Sequence, residues 1–456
     1  MLFPTFVSIA MIGFAILAPG ERTLILLVGV YNVMFLLVPE ALQLAIGNFP
    51  FFGAGYASSI VNAASGIVSI FSVSFLALYC IRGLRPSSPA VPALQASPTP
   101  LSPQATAIVC LSLLAIASFV FVSLGPDLFL QRRGDAFSSL DFNPIFVIYL
   151  NLGRFSAFFA FAISSVLVLE TRISKGSPWA LWICSVAILL MVDNPINLPR
   201  YVLFGFLIAL ICVFGETGRT FFKVTLLAMF LVGVTTIFPL ISNISRGHPG
   251  TALLQSSLDY YSTSGDFDGF QSIMNIYLMV QTEGLSLGTH LLSDLLFFVP
   301  RAIWSAKAIG TGGEAAMFMG YPFINISGPL PAEFFADFGW GGVAVGGGLV
   351  GYLCAVMDTK RHGNVHGGSS RLVRLVYAIA TGFVVIVMRG SLLGVIGPVL
   401  LGVFMAAILR RACQPIRRSN SHIAKPRLSA GPGLRRATAV VGPHGAPLSG
   451  QGHAAD

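Results

Sequence analysis

Long apolar runs alternate with short polar breaks along most of the chain. Eleven runs have roughly 16 to 25 residues, the length that a helix needs to cross a hydrocarbon core of about 30 Å. They lie near residues 2–19, 23–38, 59–82, 105–124, 145–169, 179–193, 201–215, 224–242, 338–357, 375–389 and 392–409. The pattern predicts an all-α polytopic membrane protein with about eleven transmembrane helices. Because residues 39–58 also fit a re-entrant or interfacial segment and Arg389 interrupts the last pair, counts from ten to twelve stay open.

One stretch, residues 243–337, breaks the apolar pattern. It holds eight of the eighteen acidic residues and three cations, Arg246, Arg301 and Lys307. Loops held by a rigid scaffold often carry functional side chains, so we expect one large loop that contains the site. The predicted parts are residues 1–82 (helices 1–3), 83–104 (a flexible linker), 105–242 (helices 4–8), 243–337 (the loop), 338–411 (helices 9–11) and 412–456 (a basic, disordered tail).

Composition agrees with a membrane protein. The chain is 55% hydrophobic and 10% charged, with a mean hydropathy of +0.81, whereas soluble domains carry about 25% charged residues. The six cysteines lie in or beside apolar runs or in the tail, without zinc spacing, and are expected to be buried thiols. The net charge of +9 is concentrated in particular loops, so it is a topology signal, and nucleic-acid binding is not expected.

Lysine and arginine positions predict the orientation. One side collects nineteen of the 27 cations, with seven opposite and Arg154 inside a helix. By the positive-inside rule the richer side is the cytoplasm. We therefore expect a multi-pass protein of the bacterial inner membrane, with an uncleaved first helix, a cytoplasmic C-terminus and residues 243–337 on the outer face. The basic tail is interpreted as a topology anchor, with contact to anionic lipid as the alternative.

A run of glycines resembles a cofactor motif, but its context argues against that interpretation. Gly346, Gly348 and Gly351 have the dinucleotide-binding spacing, yet no strand precedes them and they lie inside a predicted membrane helix. The pairs Gly342/Gly346 and Gly347/Gly351 instead give the small-xxx-small pattern that lets two helices approach closely.

Asp266 and Asp268 form a D-x-D pair around Phe267. Two such carboxylates can share a divalent cation that bridges a sugar diphosphate. A solvated turn is the favoured interpretation. No cofactor is therefore expected, with a metal at this pair as the weaker alternative.

Cations beside aromatic residues are the stronger site candidates. Arg301, Trp304 and Lys307 follow one another closely after an apolar run. A guanidinium grips phosphate oxygens bidentately, and an indole offers a stacking face for sugar or lipid. The alternative is an interfacial belt, in which Trp and Arg anchor the chain at the headgroups. Residue types alone leave both interpretations open.

Three further arginines lie where topology disfavours them. Arg200 and Arg389 fall on the predicted outer side, against the positive-inside trend. Arg154 lies within the fifth run, where it costs at least ~2.5 kcal/mol unless it is paired or faces a wet cavity. An anionic ligand would account for cations at these positions.

Candidate proton acceptors come from the same region. Glu333 begins the ninth predicted helix, where the helix dipole favours a carboxylate and where it is placed to orient or deprotonate a sugar hydroxyl. His248 and His290 are further candidates, although a lone loop histidine is more often a surface residue.

The order of these motifs resembles the oligosaccharide repeat-unit polymerases, the Wzy-type O-antigen polymerases of bacterial inner membranes. The resemblance is carried by Gly265-Asp266-Phe267, Val299-Pro300-Arg301 with Trp304 and Lys307, Gly320, Ser327 with Pro329, and Glu333 followed by Asp337-Phe338-Gly339-Trp340-Gly341. It implies a bundle akin to the C-type glycosyltransferases. It also implies an enzyme that joins undecaprenyl-diphosphate-linked oligosaccharide units into O-antigen, capsule or exopolysaccharide at the periplasmic face. Implied partners are the lipid-linked glycan, the bilayer, a chain-length regulator and a flippase.

The implied reaction needs no nucleotide, because the lipid diphosphate already activates the donor's anomeric carbon. Cations would hold that leaving group while a base receives the acceptor's proton. Arg301 and Arg200 are assigned to the diphosphate. The assigned catalytic residues are Glu333 and Asp266, and the assigned substrate-binding residues are Arg200, Arg246, Arg301, Lys307, Trp304, Arg154 and Arg389.

Three other functions fit part of the pattern. A ligase that moves finished polymer onto lipid A would share the architecture and the lipid donor. A polysaccharide transporter or flippase would place ionisable residues along several membrane helices, whereas here the polar residues gather on one face. A structural assembly subunit would not account for cations held outside.

Overall fold

The computed structural model describes residues 2–51, 55–83, 103–131, 144–171, 177–237, 239–240, 257–365 and 371–413, all within one compact unit, Met1–Pro415. No strand occurs in these residues, which confirms the all-α prediction for this part of the chain. The helices, numbered in chain order, are α1 (Leu2–Leu17), α2 (Thr23–Tyr31), α3 (Val38–Ile46), α4 (Ser58–Gly83), α5 (Pro103–Leu124), α6 (Pro126–Leu130), α7 (Pro144–Thr171), α8 (Ser177–Val192), α9 (Arg200–Phe214), α10 (Thr220–Val232), α11 (Ser257–Thr263), α12 (Gly269–Glu283), α13 (Thr289–Leu295), α14 (Thr311–Phe318), α15 (Leu330–Val365), α16 (Leu375–Arg389) and α17 (Leu392–Ala412).

The apolar runs coincide with helices. Among the described residues, seven helices are long and apolar enough to cross a membrane: Thr23–Ile46, Ser58–Gly83, Pro103–Leu124, Ile145–Leu169, Thr220–Ile237, Leu330–Thr359 and Leu392–Ala412. Shorter apolar helices occupy Leu2–Leu17, Pro178–Val192, Arg200–Phe214 and Leu375–Arg389. The chain is thus a helical membrane protein by length and composition. The number of crossings, eleven, remains a prediction.

The second run extends further than its apolar pattern indicates. Helices α2 and α3 are joined without a break by a π-helical turn, Asn32–Leu37, so the helix continues to Ile46. Residues 39–46 are therefore the end of that helix, and the interpretation of 39–58 as one separate re-entrant or interfacial segment is wrong. Residues 52–54 lie outside the described part. The predicted linker 83–104 and tail 412–456 also lie outside it, except at their edges.

Helices α4 and α15 pack closely because α15 presents glycines at the contact. A Cβ on Gly347 or Gly351 would overlap backbone atoms of Phe71 or Phe75 on α4. The small-xxx-small prediction is therefore confirmed for this pair. Gly342 and Gly346 instead lie against Phe334 of the same helix, which folds back toward them across a break.

That break occurs at Gly339, whose backbone angles are φ 61° and ψ −150°. It separates a first half-helix, residues 330–338, from the long remainder of α15. The carbonyl of Ala336 accepts a hydrogen bond from the Ser286 amide (2.9 Å). A polar group at the break is therefore bonded by the neighbouring segment, as the interior of a membrane protein requires.

The predicted loop is a packed helical layer over its described residues. We call residues 257–329 the cap. Helix α12 is largely buried: the side chains of Gln271 and Asn275 bond Tyr56 and Tyr321 (2.7 to 3.5 Å). The cap also exposes apolar side chains, at Leu287, Leu292, Leu295, Phe298, Ile303, Met317 and Ile324. The stretch predicted as one large loop, 243–337, is therefore largely helical and packed over 257–329, and residues 243–256 lie outside the described part.

Candidate functional site

A cavity of about 480 Å³ opens where the cap meets the membrane helices. Helices α7 and α17 form two of its walls, and the turns between α13 and α14 form the third. Pro398, inside α17, is among the lining residues, where its ring cannot continue the helical hydrogen bonding. The lining residues are Val147, Ile148, Phe297, Val299, Pro300, Arg301, Ala302, Lys307, Leu393, Gly394, Gly397 and Pro398.

An apolar cavity of about 530 Å³ adjoins it further along α17. Ile148, Phe297 and Gly397 line both cavities, so the two adjoin between α7 and α17, and we call them together the groove. The second cavity continues over Leu400, Leu401, Val403, Phe404 and Ala407. The groove therefore has a cationic end at the cap and an apolar end between two membrane helices.

Arg301 and Lys307 shape the cationic end in different ways. Lys307 is buried, and its ammonium donates to the carbonyls of Leu296, Phe297 and Val299 (3.1, 2.7 and 3.0 Å). Burial and the charge of Arg301 lower the pKa of Lys307. All three of its donors are used, so Lys307 contributes positive charge and holds the turn.

Arg301 is exposed and retains donors for an anion. It donates to the carbonyls of Lys307 and Ala308 (2.5 and 2.6 Å). These bonds use two of the five guanidinium N–H groups, which leaves three for a ligand. Trp304, half-buried, lies in the same turn, with its amide bonded to the Pro300 carbonyl (3.1 Å).

A chain of ionisable groups lies beside this turn. His290 Nδ1 is 2.8 Å from Asp337 Oδ1, and His290 Nε2 is 2.8 Å from Glu314 Oε2. Asp337 also accepts from the amides of His290 and Leu291 (3.2 and 2.9 Å), at the N-terminus of α13. That position favours a carboxylate, because the first amides of a helix lack partners within it.

The charge state of the chain follows from its contacts. Burial lowers the pKa of His290, but hydrogen bonds to Asp337 and Glu314 more than offset that, and the net pKa is raised to about 10. Burial raises the pKa of Glu314, and the hydrogen bond and charge of His290 reverse this, so the net pKa is lowered. At neutral pH His290 is therefore an imidazolium and Glu314 a carboxylate.

Asp294 is the anomalous carboxyl of this region. It is 2% exposed, and neither carboxyl oxygen has a hydrogen-bond partner. Burial raises its pKa to about 7, His290 opposes this and Asp337 reinforces it. Such a carboxyl, without hydrogen-bond partners, is neutral below about pH 7. Above that pH it becomes a buried charge that destabilises the folded protein.

Glu333 lies in the first turn of α15, as predicted, and is completely buried. It accepts from Thr311 Oγ1 (2.9 Å) and from the amide of Leu392 (3.0 Å). These bonds connect the starts of α14, α15 and α17. Leu393, the residue after Leu392, lines the cavity, whereas Glu333 is not among its lining residues.

Asp266 and Asp268 face different arginines. Asp266 pairs with Arg200 (2.7 Å) and also accepts from the Tyr260 hydroxyl. Asp268 pairs with Arg389 (3.0 Å) and accepts from the Ser327 amide (2.8 Å) and hydroxyl. Both carboxyls are buried, so the interpretation of this pair as a solvated turn is corrected to two buried ion pairs.

The remaining candidates lie apart from the groove. Arg154 is buried and donates to Asn197 Oδ1 (3.0 Å), whose own amide bonds the carbonyls of Leu128 and Gln131 (2.7 and 3.2 Å). Arg154 therefore lies inside the protein and joins helix ends to one another. Arg246 and His248 lie outside the described residues.

The structure thus brings some predicted residues together and separates others. Arg301, Lys307 and Trp304 share one turn at the groove. Arg200 and Arg389 instead bind the two carboxyls of the D-x-D pair, and neither lines the two cavities described. The expectation that Arg200 and Arg301 face one shared cavity is corrected accordingly.

Sequence reasoning assigned no role to Glu314, Asp337 or Asp294. Asp337 and His290 are separated by 47 residues, so no local spacing links them. A signal was nevertheless present: an acidic residue follows the glycine-rich start of α14, and another lies four residues after Glu333.

Comparisons with known proteins give no assignment. No family model, no curated protein and no solved structure matches the chain.

Proposed function

We propose that this protein is a membrane glycosyltransferase that polymerises undecaprenyl-diphosphate-linked oligosaccharide units into a surface polysaccharide, at the outer face of the bacterial inner membrane. The observation that carries the proposal is the groove, which joins a cationic end to an apolar path between two membrane helices. A polyprenyl diphosphate has the same two parts in the same order.

The cationic end matches the charge that develops during transfer. As the glycosidic bond to the diphosphate breaks, negative charge grows on the leaving oxygens. Donors fixed in advance stabilise such charge most when water is excluded. Arg301 supplies the donors and Lys307 the second positive charge, held by three backbone carbonyls.

The apolar end matches the lipid. Between α7 and α17 its walls are Ile, Leu, Val, Phe and Ala side chains together with Gly397. Because bilayer lipid is as apolar as these side chains, a polyprenyl chain would be held there by van der Waals packing and not by transfer from water. Trp304, beside Arg301, is placed to stack on a sugar of the donor or acceptor.

The buried ion pairs of the cap take a supporting role in this proposal. Arg200 and Arg389 neutralise Asp266 and Asp268, and so fix the turn between α11 and α12. Arg154 joins the ends of neighbouring helices through Asn197. We therefore revise the diphosphate assignment to Arg301 and Lys307.

The test is synthesis by the purified protein in proteoliposomes. The substrate is lipid-linked oligosaccharide extracted from cells of the source strain that lack this gene. We expect a ladder of lengthened products, reduced strongly by Arg301→Ala and little by Arg411→Ala at the opposite end of α17.

Three results would contradict the proposal. Absence of products from the wild-type protein would remove the polymerase function. Transfer of glycan only when lipid A is added would identify a ligase instead. An unaltered ladder from Arg301→Ala would remove the assigned diphosphate site, and a parallel sample with chelator tests for a required divalent metal.

A further inference from the structure

The chain Asp337–His290–Glu314 is graded in its exposure to solvent. The side chain of Asp337 is completely buried, that of His290 is 2% exposed and that of Glu314 is 30% exposed. Three such groups in hydrogen-bonded sequence have one accessible end. Any substrate that meets the chain therefore meets Glu314.

The accessible end adjoins the cationic turn. Glu314 Oε1 accepts from the amide of Ile309 (3.3 Å), while Arg301 holds the carbonyls of the two preceding residues, Lys307 and Ala308. One three-residue segment thus lies between the guanidinium and the carboxylate. The amide of Gly312, on the first turn of the same helix as Glu314, is also bonded to Ser391 at the start of α17 (2.9 Å).

The positive charge of His290 fixes the ionisation state of Glu314. The imidazolium of His290 lies between two carboxylates, and Asp337 holds it through both its ring nitrogen and its backbone amide. A carboxylate beside a fixed cation stays ionised. Glu314 therefore presents a carboxylate, 30% exposed, to solvent across the neutral pH range.

We infer that Glu314 is the group that accepts the proton of the acceptor sugar's hydroxyl, and that His290 and Asp337 are positioning residues that hold it for this step. The inference rests on the proposed function. It replaces Glu333 and Asp266 in that role, because Glu333 is completely buried and Asp266 is buried beside Arg200, whereas the side chain of Glu314 is 30% exposed.

In the transfer step the acceptor oxygen forms a bond to the donor's anomeric carbon. The bond from that carbon to the diphosphate oxygen breaks, and its electron pair leaves with the diphosphate. The hydroxyl proton passes to a Glu314 oxygen and then to water. In an oxocarbenium-like transition state the hydroxyl becomes acidic only as its new bond forms, so a weakly basic carboxylate is sufficient.

Several other ionisable groups face this chain. Asp294 lies on the same helix as His290, Glu333 lies on α15 with Asp337, and Lys307 acts on Asp294 from the turn. Asp294 is enclosed, with no route by which a hydroxyl reaches its oxygens while the cap keeps this arrangement. Asp294, Glu333 and Lys307 therefore set the local electrostatic potential around His290 and Glu314.

The experiment compares Glu314→Gln, Glu314→Asp and His290→Gln with Glu283→Gln, which alters an exposed glutamate of α12. Each protein is assayed in proteoliposomes for turnover over a range of pH. Binding of undecaprenyl diphosphate is measured separately by native mass spectrometry, and folding by thermal unfolding.

We expect Glu314→Gln to lower turnover roughly 100-fold or more, the usual contribution of a general base, with lipid-diphosphate binding unchanged. Glu314→Asp should retain part of the activity. His290→Gln should shift the acid limb of the pH profile upward by roughly 1 to 3 pH units, because Glu314 loses its neighbouring cation. Glu283→Gln should match the wild type.

Four other results would contradict the inference or part of it. A Glu314→Gln protein within threefold of wild-type turnover overturns the inference while the proposed function stands. Equal losses of binding and turnover would show that Glu314 holds the donor or the fold instead. An acid limb that does not move in His290→Gln would overturn the positioning role. A wild-type protein without products overturns the proposed function and this inference together.

Discussion

Arg389 and Asp268 form an ion pair beneath the cap, where neither is well solvated. Asp268 is 1% exposed, and burial raises its pKa although Arg389 and Ser327 oppose that shift. Removing one partner from such a pair leaves an uncompensated charge, which typically costs 3–5 kcal/mol. We expect Arg389→Ala to destabilise the protein by about 3 kcal/mol, measured by unfolding in detergent.

A double variant is the control for that cost. Once Asp268→Asn has removed the buried carboxylate, deleting Arg389 should cost much less than it does alone, because the two residues are coupled. If the two losses simply add, the side chains act independently and the ion pair does not stabilise the cap.

Asp294 should make the protein less stable as pH rises. Its pKa is raised from 3.8 to about 7, so the folded state keeps a proton that the unfolded chain has already lost across that window. Stability therefore falls between about pH 4 and pH 7. We expect Asp294→Asn to unfold at a higher temperature than the wild type, by a margin that widens with pH up to about 7.

His290 adds a separate decline at higher pH. Its raised pKa means that its stabilising contribution is complete below about 6.5 and is lost as pH approaches about 10. The difference in unfolding temperature between wild type and Asp294→Asn isolates the decline between about pH 4 and pH 7. Glu283→Gln should show the same pH dependence as the wild type. A constant difference between wild type and Asp294→Asn from pH 4 to pH 8 would contradict the assignment.

Residue types indicated part of the candidate site and did not indicate the rest, for a physical reason. Arg301, Lys307 and Trp304 were predictable because cations and an aromatic lie together in sequence. Arg200 was misassigned because a cation on the outer side has two explanations, a ligand or a buried carboxylate. Sequence alone does not show that Asp266 is its partner.

At the scale of the helix, Gly339 is the residue at which α15 breaks. Its φ of 61° with ψ of −150° is essentially restricted to glycine, and it separates the Glu333 half-helix from the rest of α15. A Cβ there would meet Leu285 at an ordinary 3.7 Å, so the penalty is backbone strain and not a clash. We expect Gly339→Ala to destabilise the protein by about 1–3 kcal/mol.

Gly341 provides the matched comparison two residues later. A Cβ at that position meets nothing within 4 Å. Gly341→Ala should therefore leave stability unchanged or raise it by up to about 1 kcal/mol, as in an exposed helix. Equal effects of the two substitutions on the unfolding midpoint would show that α15 has no strained break.

Helix positions were the most predictable feature at this scale, and helix interruptions were the least. Apolar periodicity locates a membrane helix because lipid tolerates few polar groups. It does not detect the π-helical turn Asn32–Leu37 or the break at Gly339, since both keep the apolar composition.

Over its described residues, the unit Met1–Pro415 is a helical bundle with the cap packed against it. The all-helical class and the division into runs followed from hydropathy. The cap did not, because its helices are short and mix polar with apolar residues. Bonds that hold the cap to the bundle join residues more than 200 positions apart, such as Gln43 Nε2 of α3 with the carbonyls of Tyr261 and Phe267 (3.2 and 3.0 Å).

The proposed function places a lipid diphosphate in the groove, with its head at Arg301 and its chain along α17. Cross-linking can test this binding mode directly. The measurement is photo-cross-linking with a polyprenyl diphosphate that carries a diazirine in its chain, followed by peptide mapping. We expect labelling at Phe297 and over 397–407, abolished by excess undecaprenyl diphosphate and weakened by Arg301→Ala. Labelling spread over other helices, or insensitive to that competitor, would contradict the account.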